Sequence, residues 1–145
     1  MTIFKILKLD PAAHAPEKAH PGDLGFDLFS NERQTIPAGE MRPVKTGIAV
    51  AFPAGWGGII KDRSSLAFKR IVTSAGVIDN GYRGEIMILL TNNSAAEVTI
   101  EAGQKIAQLI PCPVVDWTVE VVEDLSETSR GANGFGSTGA HKVIA

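Results

Sequence analysis

The chain has 145 residues, which fits one domain with a buried core and leaves little room for two. Its net charge is −2 and it carries no long basic run, so we expect neither nucleic acid nor an anionic membrane as a main partner. Because no apolar run is long enough for a signal core or a membrane span, we expect a cytoplasmic location.

Fifteen glycines and eight prolines divide the chain into short segments that are rich in β-branched residues. This pattern is typical of an all-β sandwich or barrel. One short helix is predicted over residues 65–69, with Ser64 or Ser65 as its cap. Strands are predicted over residues 3–9, 47–52, 57–61, 71–73, 85–91, 98–100, 105–111 and 118–122.

Composition changes after Leu125, where Gly, Ser, Thr and Asn become frequent and apolar residues become scarce. Such a segment cannot bury the face of a core. We therefore predict a core domain over residues 1–125 and a C-terminal arm, acting as a tail or a lid, over residues 126–145.

Asn80 and Gly81 form a two-residue hairpin signal, because a type I′ turn needs positive φ at both positions. A hairpin there would make Asp79 and Tyr82 cross-strand neighbours, with a carboxylate and a phenol at one mouth. The alternative is ordinary turn chemistry, since Asp often precedes Asn-Gly and Tyr is a common strand residue. The turn alone leaves both interpretations open.

Three other segments carry groups that could bind an anion or need a partner. Arg63 precedes two hydroxyls at the predicted helix start, which could be an anion site or simply a capped helix. The glycines, hydroxyls and Arg130 of residues 130–139 could cradle a phosphate, or could be a disordered tail, in which Phe135 has no purpose. Gln108 lies in an apolar strand, where its amide needs a partner.

Five segments, in this order and spacing, resemble the five motifs of the trimeric dUTPase family. They are residues 25–28, 63–67, 76–86, 103–109 and 130–139, and the third and fifth are the most specific. The resemblance implies a jelly-roll β subunit in a homotrimer, with active sites assembled from more than one chain and an arm that closes over each. It also implies Mg²⁺-assisted hydrolysis of dUTP to dUMP and pyrophosphate, which limits dUTP and supplies dUMP for thymidylate synthesis.

The family's residue roles are carried over by position. Asp79 is the implied general base for water attack on the α-phosphorus, and Tyr82 packs beneath the deoxyribose and excludes a 2′-hydroxyl. Asp27 is implied to hold hydrated Mg²⁺ through water. The implied uracil contacts are Thr73, Gly76, Val77, Ile78 and Phe135, of which Phe135 stacks on the ring. The implied phosphate contacts are Arg63, Ser64, Ser65, Gln108, Arg130, Gly136, Ser137 and Thr138.

Two positions depart from the family pattern: Thr73 stands where many members have Asn, and Lys105 stands where Arg is frequent. A single hydroxyl cannot supply the paired donor and acceptor of an amide, so the Thr73 contact differs in chemistry. The related dCTP deaminases use a Glu at the position of Leu89, and an apolar residue cannot move protons. Two further hypotheses are a nucleotide-responsive regulatory protein and a structural jelly roll of the capsid type.

Overall fold

The computed structural model describes residues 3–132, within two units, Met1–Val115 and Asp116–Ala145. The first unit contains ten strands and, among the described residues, one helix, which confirms the predicted all-β class. In chain order these elements are β1 (Lys5–Lys8), β2 (Phe26–Phe29), β3 (Gln34–Ile36), β4 (Met41–Ala51), β5 (Trp56–Lys61), α1 (Ser64–Ala67), β6 (Ile71–Ser74), β7 (Val77–Ile78), β8 (Glu85–Asn92), β9 (Val98–Ile100) and β10 (Lys105–Pro113).

Two four-stranded sheets form the first unit, in the orders β1-β4-β8-β6 and β2-β10-β5-β7, and β3 pairs with β9. Every pair is antiparallel. Strand β8 alternates the buried Ile86, Ile88 and Leu90 with more exposed residues, so one of its faces enters the core. Other fully buried core residues come from both large sheets and from β3 and β9: Leu28, Ile36, Val44, Ile100, Ile106 and Leu109.

The predicted strands up to residue 111 are confirmed, and the prediction over residues 98–100 matches β9. The prediction of a strand over residues 118–122 was wrong, because residues 116–132 contain neither strand nor helix. Alternation of apolar and polar residues does not make a strand unless its backbone finds a ladder partner. The structure also contains strands β2, β3 and β7, of four, three and two residues, which were not predicted from the sequence.

The predicted short helix is present, but it begins earlier than expected. Helix α1 starts at Ser64, its N-cap residue is Arg63, and no side chain caps it, so neither Ser64 nor Ser65 is the cap. The chain continues in turns to Arg70, whose φ of 64° ends the helical path. A helix this short depends on its surroundings, because one turn of backbone bonds does not offset the cost of nucleation.

The predicted turn at Asn80 and Gly81 is present, and the Tyr82 N–H donates to the Asp79 carbonyl over 3.1 Å. It is not a β-hairpin: β7 pairs with β5 in one sheet, while β8 pairs with β4 and β6 in the other. The type I′ prediction was also wrong, because neither Asn80 nor Gly81 has positive φ. A I′ turn matches the twist of two strands in one ladder, and this turn instead crosses between sheets.

In the second unit, the described residues 116–132 include one turn, in which the Gly131 N–H donates to the Thr128 carbonyl and hydroxyl. The predicted boundary of the arm at residue 126 lies within this unit and stays a prediction. The predicted contacts Phe135, Gly136, Ser137 and Thr138 lie outside the described residues. No helix of residues 3–132 has the length and apolar character needed to cross a bilayer.

Candidate active site

Four of the predicted site residues line one cavity of about 290 Å³, which we call the Asp27 cavity. Asp27 comes from β2, Arg63 and Ser64 from the start of α1, and Gln108 from β10. The remaining lining residues are Ala19, Asp23, Leu24 and Gly25. Three separate segments of the sequence therefore meet at one site.

The strand order explains this convergence. Strand β10 lies between β2 and β5, and Gln108 pairs with Asp27 on one side and with Lys61 on the other. The flanking Ala107 and Leu109 are buried, so the alternation of the strand turns Gln108 away from the core. Gly25 leaves room for the amide, since a Cβ there would lie 2.5 Å from Gln108 Oε1.

The Asp27 carboxylate is held by two cations. Arg63 forms an ion pair with Oδ1, and Lys105 Nζ lies 2.8 Å from Oδ2. A bulge between Lys105 and Ala107 shifts the register of β10 beside β2, next to this ion pair. Only 14% of the Asp27 side chain is exposed, so the three charges are partly shielded from water.

These contacts change the acidity of both partners. Burial by itself would raise the pKa of Asp27, but the hydrogen bonds and charges of Lys105 and Arg63 outweigh it and lower this pKa below its usual value. The hydrogen bond to Asp27 in turn raises the pKa of Lys105. The carboxylate and the ammonium group are therefore both charged at neutral pH.

The amide of Gln108 has the partner that the sequence requires. Its Nε2 donates to the main-chain carbonyl of Asp62 over 2.8 Å. This bond connects the middle of β10 to the residue that precedes Arg63. The prediction that Gln108 needs a polar partner is confirmed, and that partner belongs to the backbone of the protein itself.

Asp79 and Tyr82 line a second cavity, of about 260 Å³, which we call the Tyr82 cavity. They are not the cross-strand neighbours that a hairpin would have made, because the two strands around them belong to different sheets. The Tyr82 hydroxyl donates to the Glu85 carbonyl over 2.9 Å, which fixes the ring against the start of β8. The full lining is Ser74, Ala75, Gly76, Val77, Ile78, Asp79, Tyr82, Glu85, Met87 and Leu89.

The wall formed by residues 76–78 is anchored on β5. Gly76 has a φ of 102°, and a Cβ there would lie 3.0 Å from the Ile60 carbonyl, so this position requires glycine. Asn80 holds the following turn, because its amide donates to the carbonyls of Pro53 and Trp56, each over 2.7 Å. The shape of this wall is therefore built into the fold.

Three predicted residues have other surroundings. Ser65 is exposed in α1, and Arg130 lies in the second unit. Thr73 comes one residue before the first lining residue of the Tyr82 cavity, and both its N–H and its hydroxyl donate to Asp62 Oδ1 over 2.6 Å. Its hydroxyl hydrogen is therefore directed to a carboxylate of the protein.

Several residues of both cavities were not predicted from the sequence. Asp23 and Leu24 line the Asp27 cavity, and Glu85 lines the Tyr82 cavity with its carboxylate accepting the Gly47 N–H over 2.8 Å. Asp62 accepts hydrogen bonds from both β6 and β10. The position of Asp62 beside Arg63 was the one signal for it, and its partners are distant in sequence.

The two cavities suit different parts of a ligand. The Asp27 cavity presents a guanidinium, a hydroxyl and an amide, which are donors suited to phosphate oxygens. The Tyr82 cavity combines apolar walls with one phenol and the carboxylates of Asp79 and Glu85, which suits a flat ring and a sugar. The described residues contain no cluster of three or more His, Cys, Asp or Glu side chains that could hold a metal ion by themselves.

Comparisons with known proteins identify the family. The family model described as dUTPase matches residues 11–139. The deoxyuridine 5′-triphosphate nucleotidohydrolase of Clostridium acetobutylicum is 46% identical, over 98% of this chain and 100% of the relative. The protein of the same name from Crocosphaera subtropica is 44% identical, over 94% of this chain and 98% of the relative.

Solved structures give the same result for the fold. A variant dUTPase of Staphylococcus bacteriophage 80alpha, with dUpNHpp bound, has a TM-score of 0.89 and is 28% identical, over 96% of this chain and 99% of that one. A dUTPase variant from S. aureus phage phi11, described with a structural Mg(II) ion, has a TM-score of 0.80 at 27% identity, over 86% and 99%. The predicted jelly-roll architecture is thus confirmed, and the chain belongs to the dUTPase family.

Proposed function

We propose that the chain is a dUTP diphosphatase, which hydrolyses dUTP to dUMP and pyrophosphate. The observation that carries this proposal is the convergence of Asp27, Arg63, Ser64 and Gln108 in one cavity, at positions that match three family motifs. The relatives carry the name of this activity, and a structural neighbour has the analogue dUpNHpp bound.

In the proposed mechanism, Asp79 accepts the proton of a water molecule that attacks the α-phosphorus. Its side chain lines the Tyr82 cavity and belongs to an exposed residue, so water can reach it. Arg63, Ser64, Ser65 and Gln108 hold the phosphate oxygens, so that much of the catalysis comes from positioning and charge. On the arm, Arg130, Gly136, Ser137 and Thr138 close on the phosphates.

Base and sugar are selected in the Tyr82 cavity. Gly76, Val77 and Ile78 form its wall along β7, and this wall contacts the uracil edge in the proposal. The ring of Tyr82 packs beneath the deoxyribose and leaves no space for a 2′-hydroxyl. Phe135 stacks on the uracil ring, and Thr73 lies in β6, one residue before the first residue that lines the cavity.

A hydrated Mg²⁺ carried by the triphosphate fits the Asp27 cavity. The cavity offers the Asp27 carboxylate beside Asp23, and Mg²⁺ keeps most of its waters and needs only one or two carboxylates plus phosphates. When bound, the ion neutralises phosphate charge. Asp27 would hold it through water, while Arg63 turns from Asp27 to the phosphates.

We also propose a homotrimer in which each active site uses more than one chain. Asp27 and Asp79 line different cavities of the same chain. The proposed reaction needs both carboxylates near one triphosphate. This requirement is met if the Asp27 cavity of one subunit faces the Tyr82 cavity of another.

Leu89 distinguishes hydrolysis from deamination. It lines the Tyr82 cavity at the position where the related deaminases have Glu. A leucine cannot accept or donate the protons that removal of an amino group requires. This favours cleavage of the triphosphate over loss of ammonia from dCTP.

The activity is tested by pyrophosphate release from dUTP, UTP, dCTP and dTTP, with Mg²⁺ and with excess EDTA. We expect metal-dependent turnover of dUTP, and a loss of roughly 100-fold to 10,000-fold in kcat for Asp79→Asn. Glu97→Gln, at an exposed carboxylate of the β8–β9 connection, is the matched control. Absence of turnover with intact nucleotide binding would indicate a regulatory nucleotide-binding protein instead.

Shared sites are tested by mixing two inactive variants, Asp79→Asn and Arg63→Ala, and allowing their subunits to exchange. If one site takes Asp79 and Arg63 from different chains, mixed trimers contain intact sites and regain roughly a quarter of the activity. If both residues act from one chain, no mixture recovers. Sedimentation of the wild type gives the subunit number independently.

A further inference from the structure

Asp62 joins the two ends of the loop that carries Arg63 and Ser64. Its Oδ1 accepts two hydrogen bonds from Thr73, one from the N–H and one from the hydroxyl, both 2.6 Å long. Asp62 follows directly after β5 and Thr73 lies in β6, so the bonds close a segment of the chain that contains the whole of α1. Both residues are half-buried, which limits competition from water.

A second contact holds the backbone of Asp62. Gln108 Nε2 donates to the main-chain carbonyl of Asp62 over 2.8 Å. Asp62 is therefore fixed by its side chain to β6 and by its backbone to β10. The backbone of Arg63, the next residue, therefore cannot shift far without breaking one of these three bonds, while its side chain stays free to turn.

The helix itself lacks the usual means of fixing its start. Its N-cap, Arg63, makes no side-chain cap, its first turn has no acidic residue, and it is four residues long. A helix this short does not hold its own position, because nucleation costs more than one turn returns. The contacts of Asp62 supply the missing anchor one residue earlier.

We infer that Asp62, through Thr73, is a positioning residue that sets Arg63 and Ser64 for the phosphate groups of the substrate. Thr73 then acts mainly on the phosphate loop, since its hydroxyl hydrogen is used by Asp62. This inference rests on the proposed function, because it takes the Asp27 cavity as the phosphate site. The family position of Thr73 by itself implies a contact with the base, whereas its hydrogen bonds to Asp62 indicate a role in positioning the phosphate loop.

Four single variants distinguish whether Thr73 acts through its hydrogen bonds to Asp62 or by contacting the base. Thr73→Val removes the hydroxyl and keeps the N–H and the shape, whereas Thr73→Ser keeps both donors. Asp62→Ala removes the acceptor, and Asp62→Asn retains an oxygen without the charge. The Asp62→Ala/Thr73→Val double variant measures how far the two residues act as one unit.

The measurements are kcat and KM for dUTP, the ratio of kcat/KM for dUTP over dCTP, and the affinity for pyrophosphate with Mg²⁺ and for deoxyuridine. For Asp62→Ala we expect about a tenfold rise in KM and a matching loss of pyrophosphate affinity, since bonds to a charged group are lost. Thr73→Val shows a smaller loss and Thr73→Ser stays near wild type. The double variant is no worse than Asp62→Ala.

The dUTP/dCTP ratio and the deoxyuridine affinity stay near wild type in every variant if the inference holds. A Thr73→Val protein that changes this ratio more than Asp62→Ala does would place Thr73 against the base and overturn it. Unchanged kinetics with a lower melting temperature would make the contact purely structural and also overturn it. If Asp62→Ala does not fold, the comparison of Thr73→Val with Thr73→Ser decides.

The proposed activity is tested separately, with the wild-type protein. A wild-type protein that hydrolyses no nucleotide rejects the proposed activity before any variant is compared. The affinity for pyrophosphate still tests the role of the Asp62–Thr73 contact in that case, because binding requires no turnover. Equal pyrophosphate affinity in wild type and Thr73→Val would then reject the inference.

Discussion

Asp27 lies directly opposite Gln108 in the antiparallel register of β2 and β10. The two residues are far apart in the sequence, and the ladder places their side chains on the same face, at one cavity. Lys105, three residues before Gln108, forms an ion pair with the same carboxylate. This strand pairing thus brings Asp27, Gln108 and Lys105 together, and Arg63 and Ser64 join them from the start of α1.

The ion pairs of Asp27 predict how stability depends on pH. Its pKa in the folded protein lies below the ordinary value of 3.8, so the stability it contributes is complete above that value and is lost as pH falls through the folded pKa. The melting temperature of wild type should exceed that of Asp27→Asn at pH 7, and the gap should close in strong acid. A gap that stays constant down to about pH 2 would contradict the assignment.

The stabilisation that Lys105 provides depends on pH in the alkaline range. Its pKa is raised above 10.5 by Asp27, so its contribution is complete below that pH and is lost as pH rises through the folded value. The melting temperatures of wild type and Lys105→Met should differ up to pH 10.5 and converge only as pH rises beyond that value. Lys5→Met, at the exposed start of β1, is the control and should show no such convergence.

Gly84→Ala should move the ring of Tyr82. A Cβ at Gly84 would overlap the Tyr82 hydroxyl and lie 2.6 Å from its Cζ, so the side chain must give way. If Tyr82 excludes the 2′-hydroxyl, turnover of UTP relative to dUTP should rise. Gly81→Ala in the same turn is the matched control, because it has open space and no positive φ, and its UTP/dUTP ratio should match wild type.

Asn80→Ala should destabilise the first unit. Its amide donates to the carbonyls of Pro53, in the β4–β5 connection, and of Trp56, at the start of β5, and losing these two hydrogen bonds costs about 1–3 kcal/mol in the free energy of unfolding. The free energy of unfolding is measured with urea for this variant and for the control Asn93→Ala, which changes an exposed residue. Equal stability of the two variants would show that water replaces the Asn80 amide.

Removing the chain after Ser129 tests the role of the arm. The first unit, Met1–Val115, contains all the strands and the buried core among the described residues, so we expect it to keep its cooperative unfolding. The proposed closing residues are lost, and kcat should fall by roughly 100-fold. A truncated protein with full activity would remove the arm from the mechanism.

Much of the fold is encoded locally and was predicted from the sequence. Strands such as β8 and β9 are indicated by β-branched residues between turn clusters, and the reversal at Asn80 and Gly81 follows from the residues themselves. The motifs also predicted the family, and the family model that matches residues 11–139 confirms it. These signals lie within short windows, where the sequence is sufficient.

Strand partners were decided by tertiary structure alone. The turn after Asp79 looks like a hairpin, yet β7 pairs with β5, since the preceding Gly76 brings it against Ile60. The same limit applies to residues 118–122, which have the alternation of a strand without forming one in the described chain. A local sequence pattern indicates which face of a strand is apolar, but it does not indicate which other strand will pair with it.

The sequence by itself therefore determined the class of fold, the position of the main strands and the family. Only the tertiary structure decided that Asp62 takes both donors of Thr73, and that Lys105 shares Asp27 with Arg63. The physical reason is that hydrogen bonds and ion pairs join groups that are close in space, and closeness between distant residues is set by register, bulges and sheet order.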